Sequence, residues 1–158
     1  MSTSHSRVRG LLGTLAALAL AVGGLAVGPA QNAAAAASTT VAKRVVYGDQ
    51  IIKTPGTILD NLDIRGRVIV QAADVTIRNS IIRGTSAGSM HSLVDAMAGA
   101  PRLKIIDTEI ASTVAKPING VMGSNFSLLR VNIHRVIDQV HIVGSNVTIA
   151  DSRLHSNF

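Results

Sequence analysis

Apolar and polar positions alternate in one short pattern that the chain repeats. Val-Thr-Ile-Arg-Asn-Ser-Ile-Ile at 75–82 returns as Leu-Lys-Ile-Ile-Asp-Thr-Glu-Ile at 103–110 and Phe-Ser-Leu-Leu-Arg-Val-Asn-Ile at 126–133. It returns again as Val-Thr-Ile-Ala-Asp-Ser-Arg-Leu at 147–154, and Thr-Ile-Leu-Asp-Asn-Leu-Asp-Ile at 57–64 is a looser copy. The first and third positions are apolar, as in Val75 and Ile77, with a polar residue such as Thr76, Lys104, Ser127 or Thr148 between them. Alternation over three residues predicts a very short strand with one buried face. The fifth position is Asn61, Asn79, Asp107, Arg130 or Asp151. Asn and Asp tolerate the left-handed backbone region and bond their own main chain, so this column predicts a tight corner. Arg130 departs from it and must be held in some other way. The eighth position, Ile82, Ile110, Ile133 or Leu154, then belongs to a second short strand.

The copies start 18, 28, 23 and 21 residues apart, and a strand repeat of that period predicts a solenoid. Upstream of each copy a third strand is expected, at 68–70, 96–98, 119–121 and 140–142. Asp49, Arg67, Asp95, Ile118 and Gln139 align just before or at the start of this strand. Pro55, Ala73, Pro101, Ser124 and Ser145 form the turn column that closes it, since Pro and Ser belong at turns. The expected fold is therefore all-β, with about five coils of three short strands and three corners. The Gly- and Ser-rich residues 85–92 are expected to bulge as a loop from the longest coil.

Only part of the chain enters this scheme. Arg7 and Arg9 precede an apolar run at 11–27, and the small residues at 33–37 offer a cleavage site, so residues 1–37 read as a secretory signal peptide. Residues 38–44 read as a linker and 45–158 as the solenoid domain. Removing the leader leaves 121 residues with 13 basic and 9 acidic side chains, a single small domain of mild positive charge. This balance allows an acidic partner such as a uronate polymer without demanding one. There is no cysteine, so the core must be held by packing alone. Tyr47, Phe126 and Phe158 are the only aromatic residues, fewer than sugar-binding grooves usually offer.

The Val-x-Ile-x-Asn/Asp-Ser/Thr repeat and its Asn/Asp corner column resemble the right-handed parallel β-helix of pectate-lyase-like proteins over 45–158. The resemblance implies a secreted, extracellular protein that acts on or binds a polysaccharide along one outer face, as a lyase or a glycoside hydrolase. Nucleic acid is not expected as a partner, nor is a membrane after signal cleavage. Coils spaced about 4.8 Å apart make a stack of roughly 24 Å. The last copy ends close to Phe158 with no polar cap, so the expectation is an incomplete, N-terminal stretch of a longer β-helix. The alternative is a non-catalytic extracellular β-helix that binds glycan, or a structural element.

In a solenoid a repeated position becomes a column on the surface. Arg65, Arg83, Ala111, His134 and His155 form one such column, largely basic, and its four charged or titratable members are candidate substrate-binding residues for an acidic chain. Asp95, Asp138 and His141 are candidate catalytic residues: two carboxylates two rungs apart approach the spacing of an inverting glycosidase pair, and His141 titrates near neutrality. His134, Asp138 and His141 would share a face for zinc only on a helix, which the repeats exclude. Calcium fits the resemblance better, with Asp60 and Asp63, or Asp95 and Asp138, as the acids available to it. The Arg-x-Pro-x-x-Arg segment of pectate lyases and the acidic segments of polygalacturonases are absent. Asn125-Phe-Ser and Asn146-Val-Thr match the glycosylation sequon but read more simply as corner residues.

Overall fold

The structure, a computed structural model, describes residues 43–84, 92–98, 102–114 and 117–157. The residues expected to form the leader, most of those expected to form the linker, Pro101 and most of the Gly- and Ser-rich residues 85–92 lie outside the described residues. After β1 (Arg44–Tyr47), the chain winds through five coils of three strands. They are β2 (Gln50–Ile52), β3 (Ile58–Asp60) and β4 (Leu62–Arg65); β5 (Val68–Val70), β6 (Thr76–Arg78) and β7 (Ile81–Ile82); and β8 (Ser92–Ala96), β9 (Leu103–Ile106) and β10 (Glu109–Ala111). Then follow β11 (Asn119–Gly123), β12 (Phe126–Leu129) and β13 (Asn132–His134), and last β14 (Val140–Ile142), β15 (Thr148–Ala150) and β16 (Arg153–His155). Each strand pairs in parallel with its counterparts in the coils above and below, giving three sheets. Their orders are β1-β4-β7-β10-β13-β16, β2-β5-β8-β11-β14 and β3-β6-β9-β12-β15. This is the parallel β-solenoid that the repeat predicts.

The apolar columns of the sequence pattern point inward and stack on themselves. Ile64, Ile82, Ile110 and Ile133 form one fully buried ladder, and Ile77, Ile105 and Leu128 another. Val75, Leu103 and Phe126 face them from the start of each repeat. Each such side chain contributes about 1.5–3 kcal/mol through removal from water, which is how a cysteine-free chain holds the stack.

The corner column sits where the pattern places it. Asn61, Asn79, Asp107, Arg130 and Asp151 have φ between 48° and 55°, all left-handed. The residue after the corner carries a second function. Ser80, Thr108 and Ser152 each donate a hydroxyl hydrogen bond to the carbonyl two residues back. Each also accepts the N–H of the matching residue one coil below, from Leu62, Ser80 and Val131 respectively. The Asn/Asp-Ser/Thr pair in the repeat is thus a corner followed by a buried staple between coils. Arg130 keeps its left-handed φ because its guanidinium grips Asp107 of the coil below through two bonds of 2.6 and 2.7 Å.

Two expectations need correction. The corner before each repeat turns on Gly56, Asp74, Arg102, Asn125 and Asn146, all at positive φ, one residue later than the Pro55 and Ala73 column. The strand expected at 96–98 is instead β8, which begins at Ser92, a fully buried residue rather than the end of a loop. Val68 pairs with Val94, and Val94 with Val121, so the register partners of Asp95 are Ile69 and Met122 and not Arg67. The corners that lead into the repeats are not all of one length. The corner after β8 is longer by two residues than the one after β5, and the corner after β11 is shorter by two.

Candidate functional site

The basic column predicted from the sequence runs along the outer face of the β1–β16 sheet. Tyr47 pairs with Arg65, Arg83 follows on the next rung, and Ala111 pairs with His134, which pairs with His155. The register brings all four predicted substrate-binding residues into one line. A second column lies beside it, two residues upstream on each strand, and carries Asp63, Ile81, Glu109, Asn132 and Arg153.

This second column changes the electrostatics. The Asp63 side chain is only 6% exposed and accepts hydrogen bonds from Arg83 Nε at 2.7 Å and Nη2 at 2.6 Å, and from Arg65 Nη2 at 3.2 Å. The Arg83 bonds are the main reason its carboxyl titrates below the usual range, against the opposing effect of burial. The Arg65 guanidinium also lies 5.9 Å over the Tyr47 ring, within cation–π reach. Further along, Glu109 Oε1 is 3.1 Å from His134 Nε2, and Asn132 Oδ1 is 3.0 Å from His155 Nε2. The two imidazoles stack at 5.1 Å with their planes 15° apart. Burial, Arg153 and His134 push the His155 pKa down, which favours the neutral ring. The column is therefore not a row of unmatched cations awaiting a polyanion. Much of its charge is answered from within.

What remains open lies at Ala111. The column places long side chains at every other neighbouring rung, and the single methyl group leaves a notch of about 200 Å³ between Arg83 and His134. Glu109, Thr113 and Arg135 complete its walls. Arg135 sits on a left-handed corner at φ 55°, and its guanidinium has no partner among the described residues. The notch thus presents one free guanidinium, a second held by Asp63, an imidazole and a carboxylate. That set suits a small polyhydroxylated group bearing a carboxylate, the anion meeting Arg135 and hydroxyls meeting Glu109. Arg135 was not among the sequence-predicted residues, although its place directly after His134 in an otherwise small or Gly-rich corner column was a usable signal.

The three catalytic candidates lie on the β2–β14 sheet. Asp95, Met122 and His141 share one column, which puts Asp95 and His141 two rungs, about 9.6 Å, apart. Asp138 lies outside that column, in register with Asn119, and its carboxylate accepts from His141 Nδ1 at 3.0 Å. Asp95 accepts the Met97 N–H at 2.9 Å and lies 3.4 Å from Arg67 Nη2, a mostly buried guanidinium that also reaches Asp49 and the Ser92 carbonyl. The structure thus joins Asp138 to His141 and ties Asp95 into a separate ion network.

Of the acids considered for calcium, Asp60 is bound by Arg78 at 2.8 Å and Asn79 at 3.0 Å, and Asp63 by its two arginines. Among the described residues no group of three or more His, Asp or Glu side chains is arranged to hold a metal ion. Compared with known protein families, curated proteins and solved structures, the chain matches none.

Proposed function

We propose that this chain is a secreted β-helix protein, of the pectate-lyase-like kind its repeats resemble, that holds an acidic polysaccharide on the outer face of the β1–β16 sheet. One carboxylated sugar sits in the notch at Ala111, against Arg135 and His134, and the chain passes along the column on either side. The observation that supports this reading is the notch itself, a gap in a wall of long side chains with an unpaired guanidinium at its edge. Binding rather than cleavage is the role it favours, because Arg135 is an open cation at the notch and the column's own arginines are tied to Asp63.

Filling the notch tests this without altering charge. Ala111→Leu is expected to lower the affinity for trigalacturonate about tenfold or more, a loss of about 1.4 kcal/mol, with the thermal midpoint little changed. Affinity equal to that of the parent protein would refute the assignment. A cleaving function is the second reading, favoured by the Asp138–His141 pair and by Asp95 on the His141 column. New unsaturated ends or reducing ends from polygalacturonate or neutral glycans, with or without calcium, would favour it. Measurable binding with neither product would leave the binding role.

A further inference from the structure

A second groove, larger than the notch, crosses the outer face of the β3–β15 sheet, where the sequence offered only alternating polar positions. It encloses about 470 Å³. Its axis is the column Lys104, Ser127, Thr148, which the register stacks one residue per coil at steps of about 4.8 Å. The Ser127 and Thr148 hydroxyls have no hydrogen-bond partner among the described residues, and the Lys104 ammonium makes no hydrogen bond or close ion pair among them, though it lies near enough to the rim carboxylate of Asp74 to help lower its pKa. The rim is the left-handed corner column. There Arg102 is held by Asp74 through bonds of 2.5 and 2.6 Å, and Asn146 Nδ2 donates to Asn125 Oδ1 at 2.9 Å. That bond leaves the Asn146 carbonyl oxygen free to accept. No carboxylate lines the groove, unlike the notch with its Glu109.

We infer that this groove is a second glycan site, for an anionic strand lying along the axis of the stack. Its anionic group pairs with Lys104, and its hydroxyls meet Ser127, Thr148 and Asn146 on the next two rungs. A rigid parallel sheet suits this task, because the backbone sets the three groups at a fixed interval and the two short hydroxyl side chains lose little freedom on binding. A carboxylated and a sulfated strand present the same chemistry to Lys104. The inference does not depend on the notch, which faces a different side of the coil.

Calorimetric titration of the full chain with trigalacturonate and with a sulfated trisaccharide tests it. In the Ala111→Leu background one site is expected to remain for at least one of the two probes. Adding Lys104→Gln is expected to weaken that site about tenfold or more and to flatten its salt dependence. The pair Ser127→Val and Thr148→Val is expected to weaken it while leaving the salt dependence in place. Which probe binds more tightly tells carboxylate from sulfate. If Ala111→Leu alone removes all binding, or Lys104→Gln leaves affinity unchanged in a protein of parental melting temperature, the groove is not a site. The first of those results would leave the notch standing. Binding that ignores Ala111→Leu and falls with Lys104→Gln would instead support the groove and remove the notch.

Discussion

Gly66→Ala is expected to destabilise the fold by about 3 kcal/mol. The reason is the distance between coils, not the backbone angle. A β-carbon at position 66 would lie 2.2 Å from the Gly48 carbonyl oxygen and 2.9 Å from the Asp49 nitrogen. The neighbouring chain cannot give way cheaply, because Gly48 N–H donates to the Arg65 carbonyl at 3.1 Å and Gln50 N–H to the Arg67 carbonyl at 2.8 Å on either side of the clash. Moving one coil away from the other breaks both bonds. Gly56→Ala is the control. Gly56 has φ +73° and nothing within 4 Å of an added β-carbon, so only the left-handed penalty of about 1–2 kcal/mol applies. Chemical denaturation of both variants compares them directly. Equal losses would mean that the coils do not approach at Gly66 as described.

Asp63 carries the second large effect. Asp63→Ala is expected to cost about 2 kcal/mol or more, since it leaves Arg65 and Arg83 without their shared carboxylate in a partly buried setting. The figure stays below that of a fully buried pair because both guanidiniums keep access to water, with side chains 47% and 38% exposed. The same carboxylate gives a pH dependence. Its folded pKa lies below the ordinary value, chiefly through Arg83, so the unfolded chain takes up the proton first as pH falls. The stabilisation is complete above about pH 4 and is lost as pH drops through the folded value. Asp60, Asp74 and Asp107 are shifted in the same direction by their own partners, so Asp63→Asn is expected to reduce the acid slope, not abolish it. An unchanged slope in denaturation midpoints between pH 5 and about pH 2 would show that Asp63 is not held as described.

The parts legible in the sequence were those set by one coil on its own. Inward positions such as Ile77 and Ile110 follow from alternation, and the left-handed corner follows from Asn79 and Asp107. What was not legible depends on the relation between coils. Asp95 shifted by two residues against β5 and by four against β11 because the corners after β5, β8 and β11 differ in length, and corner length leaves little trace in residue pattern. The basic column was found, yet its neutralisation was not, because Asp63 reads as an exposed outer-face residue until Arg83 of the next coil is laid against it. Arg130 looked like a break in the Asn/Asp column, yet it is the partner of Asp107 one coil below. Arg102, in the separate corner column before the repeats, is paired with Asp74 in the same way. The notch at Ala111 and the groove along Lys104 are gaps between side chains, visible only once the rungs are stacked.

The central claim is that an acidic sugar is seated where the column of long side chains is interrupted. Amide chemical shifts recorded while trigalacturonate is added to the isotopically labelled protein address it most directly. The expected result is a saturable shift of the amides at 109–113 and 134–135, with a separate set at 102–104, 125–127 and 146–148 where the groove is also filled. Shifts confined to Asp95, Met122 and His141, or none at Ala111 and Arg135 when ligand is in excess, would contradict it.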